Sequence, residues 1–124
     1  MPQISGPDFI ALQVRDLEKS RAFYRDTLGL REAPQSPPGA VLFQTQPIPF
    51  AVREPLPHDA SLVQNAERLG LGMALWLQCD DPDGLYEQLG KVGVQLPMPV
   101  QDGPFGRFFT LVDPDGYRVT VHGK

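Results

Sequence analysis

The chain has 124 residues, about 41% of them apolar, and a net charge of −4. That length supports a compact domain with a real core. No apolar run is long enough to span a membrane, and no Lys/Arg cluster gives a nucleic-acid footprint.

Residues 9–30, FIALQVRDLEKSRAFYRDTLGL, read as a strand, a helix and a stop. Asp16 is a good N-cap, and Glu18 sits near the positive end of the helix dipole. Leu17, Phe23, Tyr24 and Leu28 fall on one helical face, and Gly29 follows as the C′ residue. Residues 34–39, PQSPPG, form a loop. Strands are predicted over about 40–46 and 49–54, around TQPIP. The connector, residues 55–72, starts Pro-rich and predicts a short helix capped by Asp59 or Ser61. Its apolar face would be Leu62, Val63, Ala66 and Leu69.

Residues 73–94, MALWLQCDDPDGLYEQLGKVGV, repeat the plan. Met73 to Cys79 is a strand, Asp81 caps a helix, and Pro82 suits its first position. Leu85, Leu89 and Val92 make the apolar stripe, and Gly93 ends the helix. Residues 97–106 are a loop. Strands over 107–112 and 117–122 flank DPDG, a turn specified by Asp113, Pro114 and Gly116.

A shift of about 64 or 65 positions superimposes Asp16 on Asp81 and Gly29 on Gly93. The expected fold is α+β, with two tandem βαββ modules at about 7–54 and 73–122 in one domain. Strand parity supports it. One face collects Ile10, Leu12, Val14, Phe50, Val52, Leu75, Leu77, Val119 and Val121, all apolar, as helix packing requires. The other collects Phe9, Ala11, Gln13, Ala51, Arg53, Ala74, Trp76, Gln78, Phe108, Thr110, Val112, Arg118 and Thr120.

Local motifs exclude several chemistries. There is no P-loop, no GxGxxG after a strand and no GxSxG. One Cys and two separated His residues make no structural zinc site. Cys79 cannot form an internal disulfide and reads as a small buried hydrophobe. That cysteine usage, and an N-terminal stretch without signal-peptide character, fit the cytoplasm.

Two βαββ halves carrying DLEKSRAFYRDTLGL and DPDGYRVTV resemble the vicinal oxygen chelate superfamily of glyoxalases, extradiol dioxygenases, fosfomycin-resistance enzymes and bleomycin-resistance-type binding proteins. The resemblance covers nearly the whole chain. It implies a curved mixed sheet, a partial barrel around a cleft, with the helices outside. In enzyme members it implies four His or Glu metal ligands, on the first and last strands of each half. The matching positions here are Phe9, Ala51, Ala74 and Thr120. Alanine and phenylalanine side chains cannot ligate an ion, and a lone hydroxyl is weak. Within two positions only Asp8 and His122 bring ligand chemistry, so no metal and no cofactor are expected.

What remains is a candidate ligand surface of Phe9, Gln13, Ala51, Arg53, Ala74, Trp76, Gln78, Phe108, Arg118 and Thr120. Trp76 could stack on a planar ligand; ordinary packing at a dimer interface has nearly equal weight. For His122 a solvated imidazole near the chain end is the favoured reading, and His58 is expected to be exposed. The expectation is a metal-free small-molecule binding protein resembling the bleomycin-resistance branch. That branch implies a homodimer, with no nucleic acid or membrane partner. The alternative is a lyase, isomerase or dioxygenase-like enzyme with a noncanonical metal or an acid–base residue such as His122 or Glu54. A sensing module is a third reading.

Overall fold

The computed structural model describes residues 2–123. The chain divides into two compact units, one up to Ala66 and one from Glu67. The first holds β1 (Ile10–Gln13), α1 (Leu17–Ala22), β2 (Ala40–Phe43) and β3 (Phe50–Arg53), then a 3-10 turn (Pro57–Asp59) and α2 (Ala60–Asn65). The second holds β4 (Leu75–Gln78), α3 (Pro82–Lys91), β5 (Gln101–Gly103), β6 (Gly106–Val112) and β7 (Arg118–His122).

Both sheets place the last strand beside the first. In the first unit the order is β1-β3-β2, with β1 parallel and β2 antiparallel to β3. In the second it is β4-β7-β6-β5, with β4 parallel to β7 and the other pairs antiparallel. The α+β architecture with two related modules therefore stands, with one addition. The second module is βαβββ, because β5 pairs with the start of β6. Its three residues, Gln-Asp-Gly, carry no apolar alternation, and their partner strand arrives through a tight turn at Gly106, where φ is +94°.

The helices begin as their caps dictate. The Asp16 carboxylate accepts from the Lys19 backbone N–H at 3.1 Å, and Asp81 accepts from Gly84 N–H at 3.1 Å. Helix α1 runs on into a π-helical segment, Phe23–Thr27, that brings Tyr24 fully into the core. The Tyr24 ring lies 5.0 Å from Phe50 and 6.2 Å from Phe43, and Phe43 stacks on Phe50 at 6.0 Å. Leu12, Val14, Val41 and Val52 close this core. Ser20 is also fully buried, and nothing in the apolar pattern marks it. In the second unit α3 packs on β6 through Leu89 and through Tyr86, edge-on to Phe109 at 5.3 Å. Leu75, Leu111, Val119 and Val121 complete the layer. The expected apolar face is thus the packed face, with Ile10 and Leu77 only half-buried. Val92 is a correction. It is the C-cap of α3 and 69% exposed, because the helix stops at Lys91 before the stripe reaches it.

The connector is not a free linker. Arg15 donates to Val63 O at 2.9 Å and to Ala66 O at 2.6 Å. Gln13 accepts from Leu56 N–H at 2.8 Å and donates to Asp59 at 3.1 Å. Asp59 is the N-cap residue of α2 but its carboxylate bonds Gln13 rather than the helix. Only Val63 of the expected connector face is buried, and Leu69 lies beyond the helix end. At the second unit's turn, the Asp113 carboxylate accepts from the N–H groups of Asp115 and Tyr117, each at 2.9 Å.

Two ion-pair groups tie elements together. Arg21 grips Glu32 with two bonds of 2.8 Å, and Arg25 adds a third at 3.3 Å. Arg107 of β6 holds Asp83 of α3 at 2.7 and 3.2 Å and reaches Asp102 at 3.2 Å. The arginine hydrogen bonds hold the Glu32 carboxyl below its ordinary 4.5 and the Asp83 carboxyl below 3.8.

Two outcomes follow from this packing. Tyr24→Ala, which opens a hole among three phenylalanines, lowers stability by about 3–5 kcal/mol in equilibrium urea unfolding. The Glu32 carboxyl is more acidic folded than unfolded, so its contribution is full above the ordinary value and disappears as pH falls through the lower folded one. Glu32→Gln therefore loses less melting temperature than the unsubstituted chain between about pH 5 and pH 3. Parallel acid-melting curves would refute this.

Candidate functional site

On the face of β4-β7-β6 opposite α3, strand pairing lines up two rows of side chains. Trp76, Thr120 and Thr110 are one row; Gln78, His122 and Phe108 are the next. The Thr110 and Thr120 hydroxyls lie 3.2 Å apart and share a hydrogen bond. Across the rows, Trp76 stacks on Phe108 with ring centroids 6.1 Å apart and planes 28° from parallel. His122 meets Trp76 edge-on at 5.6 Å. Phe105, from the turn between β5 and β6, closes the group at 5.9 Å from Trp76 and 6.4 Å from His122. Four rings thus gather on one sheet face, and two of them stay open, with Trp76 42% and Phe105 64% exposed.

Local sequence explains the gathering. Trp76 and Phe108 each stand one position from a buried apolar neighbour, Leu75 and Phe109, and so occupy the opposite parity. Gly103 leaves space for the Phe108 ring: a methyl there would stand 2.6 Å from that ring. Phe105 is held by the two-residue turn that β5 and β6 share, and its carbonyl lies 3.2 Å from His122 Nδ1.

The expected site residues fall into three groups. Trp76, Phe108 and Thr120 come together on the second unit, with Gln78 in register beside His122. Arg118, on the same strand face, and Ala74, just before β4, are both exposed. On the first unit Ala51 is buried between Ala11 and Leu42 in the pairing register. Gln13 is half-buried with its amide engaged by the connector, and Arg53 donates to Glu54 O at 2.9 Å. Phe9 lies before β1 and is exposed.

His122 is more engaged than a simply solvated imidazole. It is half-buried, packed on Trp76 and hydrogen-bonded through Nδ1, because β7 runs its full length beside β4 and β6. Its shared parity with Thr120 was the available signal. Phe105 carried none beyond being aromatic in a Pro/Gly turn. His58 is exposed, as expected.

The donor chemistry does not suit a metal ion. The Phe9, Ala51 and Ala74 side chains present no lone pair, and Thr120 offers a single neutral hydroxyl that is hydrogen-bonded to Thr110. Among the described residues no three His, Cys, Asp or Glu side chains come together as a metal-holding group. No helix among them is long and apolar enough to cross a membrane.

Comparison with known proteins places this geometry. A family model described as Glyoxalase/Bleomycin resistance protein/Dioxygenase superfamily matches residues 6–121. No curated protein matches the sequence. Among solved structures, TnmS3, an antibiotic binding protein from Streptomyces sp. CB03234, is 23% identical, with 99% of this chain and 98% of that one covered and a TM-score of 0.74. The fosfomycin resistance protein FosX from Mesorhizobium loti is 23% identical over 98% of this chain and 94% of its own, with a TM-score of 0.69. A protein of unknown function from Agrobacterium tumefaciens str. C58 is 26% identical over 100% and 95%, with a TM-score of 0.73.

The space over Gly103 gives a direct check on the ring cluster. Gly103→Ala pushes Phe108 off its place and alters the Trp76 near-ultraviolet circular dichroism, at a cost of about 1–3 kcal/mol from overcrowding. An unchanged tryptophan signal would mean that Phe108 does not set the Trp76 environment.

Proposed function

This chain belongs to the Glyoxalase/Bleomycin resistance protein/Dioxygenase superfamily, and on that footing we propose that it binds a flat aromatic small molecule without a metal and without altering it. The observation that carries the reading is the open ring cluster of Trp76, Phe105, Phe108 and His122, in a chain whose four family ligand positions have no metal-donor set. An exposed tryptophan face costs little to cover and gains dispersion and stacking when a planar ring lies on it. The Gln78 amide and the two threonine hydroxyls offer orientation by hydrogen bonds, and Arg118 offers attraction for anionic or oxygen-rich substituents. The fold itself is compatible with capture and with catalysis. Structural relatives include an antibiotic binding protein and a fosfomycin resistance protein, at identities that speak for the fold alone. The missing donor set is what tips the reading toward capture. A homodimer in the cytoplasm is part of the same proposal.

The protein has one tryptophan, so emission from Trp76 reports on the site directly. Titration with a panel of planar antibiotics and aromatic metabolites is expected to quench it, and Trp76→Ala weakens binding about tenfold or more by a second method such as calorimetry. The bound compound is recovered chemically unchanged. Turnover of that compound, or activity that tracks a stoichiometric metal, would overturn the proposal in favour of an enzyme. Native mass spectrometry of freshly isolated protein reads subunit number, retained ligand and metal together.

A further inference from the structure

His122 Nδ1 lies 2.8 Å from Gly123 O and 3.2 Å from Phe105 O. A carbonyl oxygen only accepts, so Nδ1 carries the ring proton. In the neutral imidazole that leaves Nε2 with a lone pair and no hydrogen. Nε2 has no hydrogen-bond partner among the described residues, and no buried side-chain nitrogen or oxygen among them lacks one. Nε2 is therefore open to solvent, at the edge of a ring that stands 62° to Trp76. We infer that His122 is a hydrogen-bond acceptor that selects, among flat aromatic ligands, those carrying a phenolic or enolic hydroxyl at the ring edge.

The inference rests on the binding reading above and adds the chemical class of the ligand. A molecule stacked on the open face of Trp76 meets an imidazole edge with its tautomer already fixed by two backbone carbonyls. Fixing the tautomer beforehand means that no reorganisation accompanies binding. A hydroxyl donor satisfies Nε2; a methyl ether of the same shape leaves it facing an apolar group, desolvated and unpaired. The other polar groups on these rows are the threonine pair, already bonded to one another, and the Gln78 amide. His122 is thus the basic acceptor of the cluster.

The test uses the full chain and two probes, 2-hydroxyanthraquinone and 2-methoxyanthraquinone, followed by Trp76 quenching. The hydroxyl compound is expected to bind about tenfold tighter than the ether. In His122→Phe, which keeps an aromatic ring but has no nitrogen, the ratio of the two affinities falls to about one, whatever happens to each affinity alone. Equal affinities in the unsubstituted protein, or an intact preference in His122→Phe, would overturn the role of His122 while leaving the aromatic site standing. If neither probe binds, the site and its selectivity fall together. Should His122→Phe not fold, nitrogen-15 spectra of the unsubstituted protein decide. With only two histidines in the chain, the His122 ring is expected as the Nδ1–H tautomer. Its Nε2 resonance moves with the hydroxyl probe and not with the ether. An Nε2–H tautomer, or no movement with the hydroxyl probe, would refute the inference.

Discussion

Strand parity governs this molecule. In each unit a central last strand is flanked by a parallel first strand and an antiparallel neighbour, so three strands present the same alternation in register. A slip of one residue anywhere would exchange the two faces. Burial of Val52, Phe109, Leu111 and Val119 against the helices forbids that slip. The apolar face therefore fixes what the opposite face displays. Trp76, His122 and Phe108 are held where they are by residues they do not touch.

That coupling explains how so small a unit can hold an open aromatic cluster. Exposing a tryptophan and a phenylalanine forgoes burial worth about 1.5–3 kcal/mol for a large side chain. The core face carries the unit without them, through Leu89, Tyr86 and Phe109 behind the sheet. The turn bearing Phe105 is pinned by its own pairing and by the Arg107 bridge to Asp83 and Asp102. The rings are arranged before any ligand arrives, which spares a ligand the entropy of ordering them.

Much of this was written in the residues. The capping aspartates, the positive-φ stops at Gly29 and Gly93, and the DPDG turn all name their structure locally. The alternation of Leu12, Val14, Val119 and Val121 against their neighbours separated the faces. What escaped lacks local chemistry. Strand β5 is Gln-Asp-Gly and exists only because β6 offers it an edge. The connector's attachment depends on Arg15 and Gln13, whose partners lie more than forty residues away. Val92 fits the helical period, but the chain turns at Gly93 before that period can act. His122 shared the right parity, yet its role depends on a carbonyl seventeen residues earlier in a turn.

The same reasoning bears on whether this face holds or transforms its ligand. Moving a proton requires a titratable group within hydrogen-bond reach of the reacting atom. Here the basic nitrogen is one face of an imidazole whose other nitrogen is committed to backbone carbonyls, and the nearby hydroxyls are committed to each other. Among the described residues, no carboxylate appears in the cluster's ring and hydroxyl contacts. Such an arrangement can accept a hydrogen bond from a hydroxyl at Nε2, which is the contact the proposed binding reading needs. Under the proposed binding reading, selective retention is what this register asks of these residues.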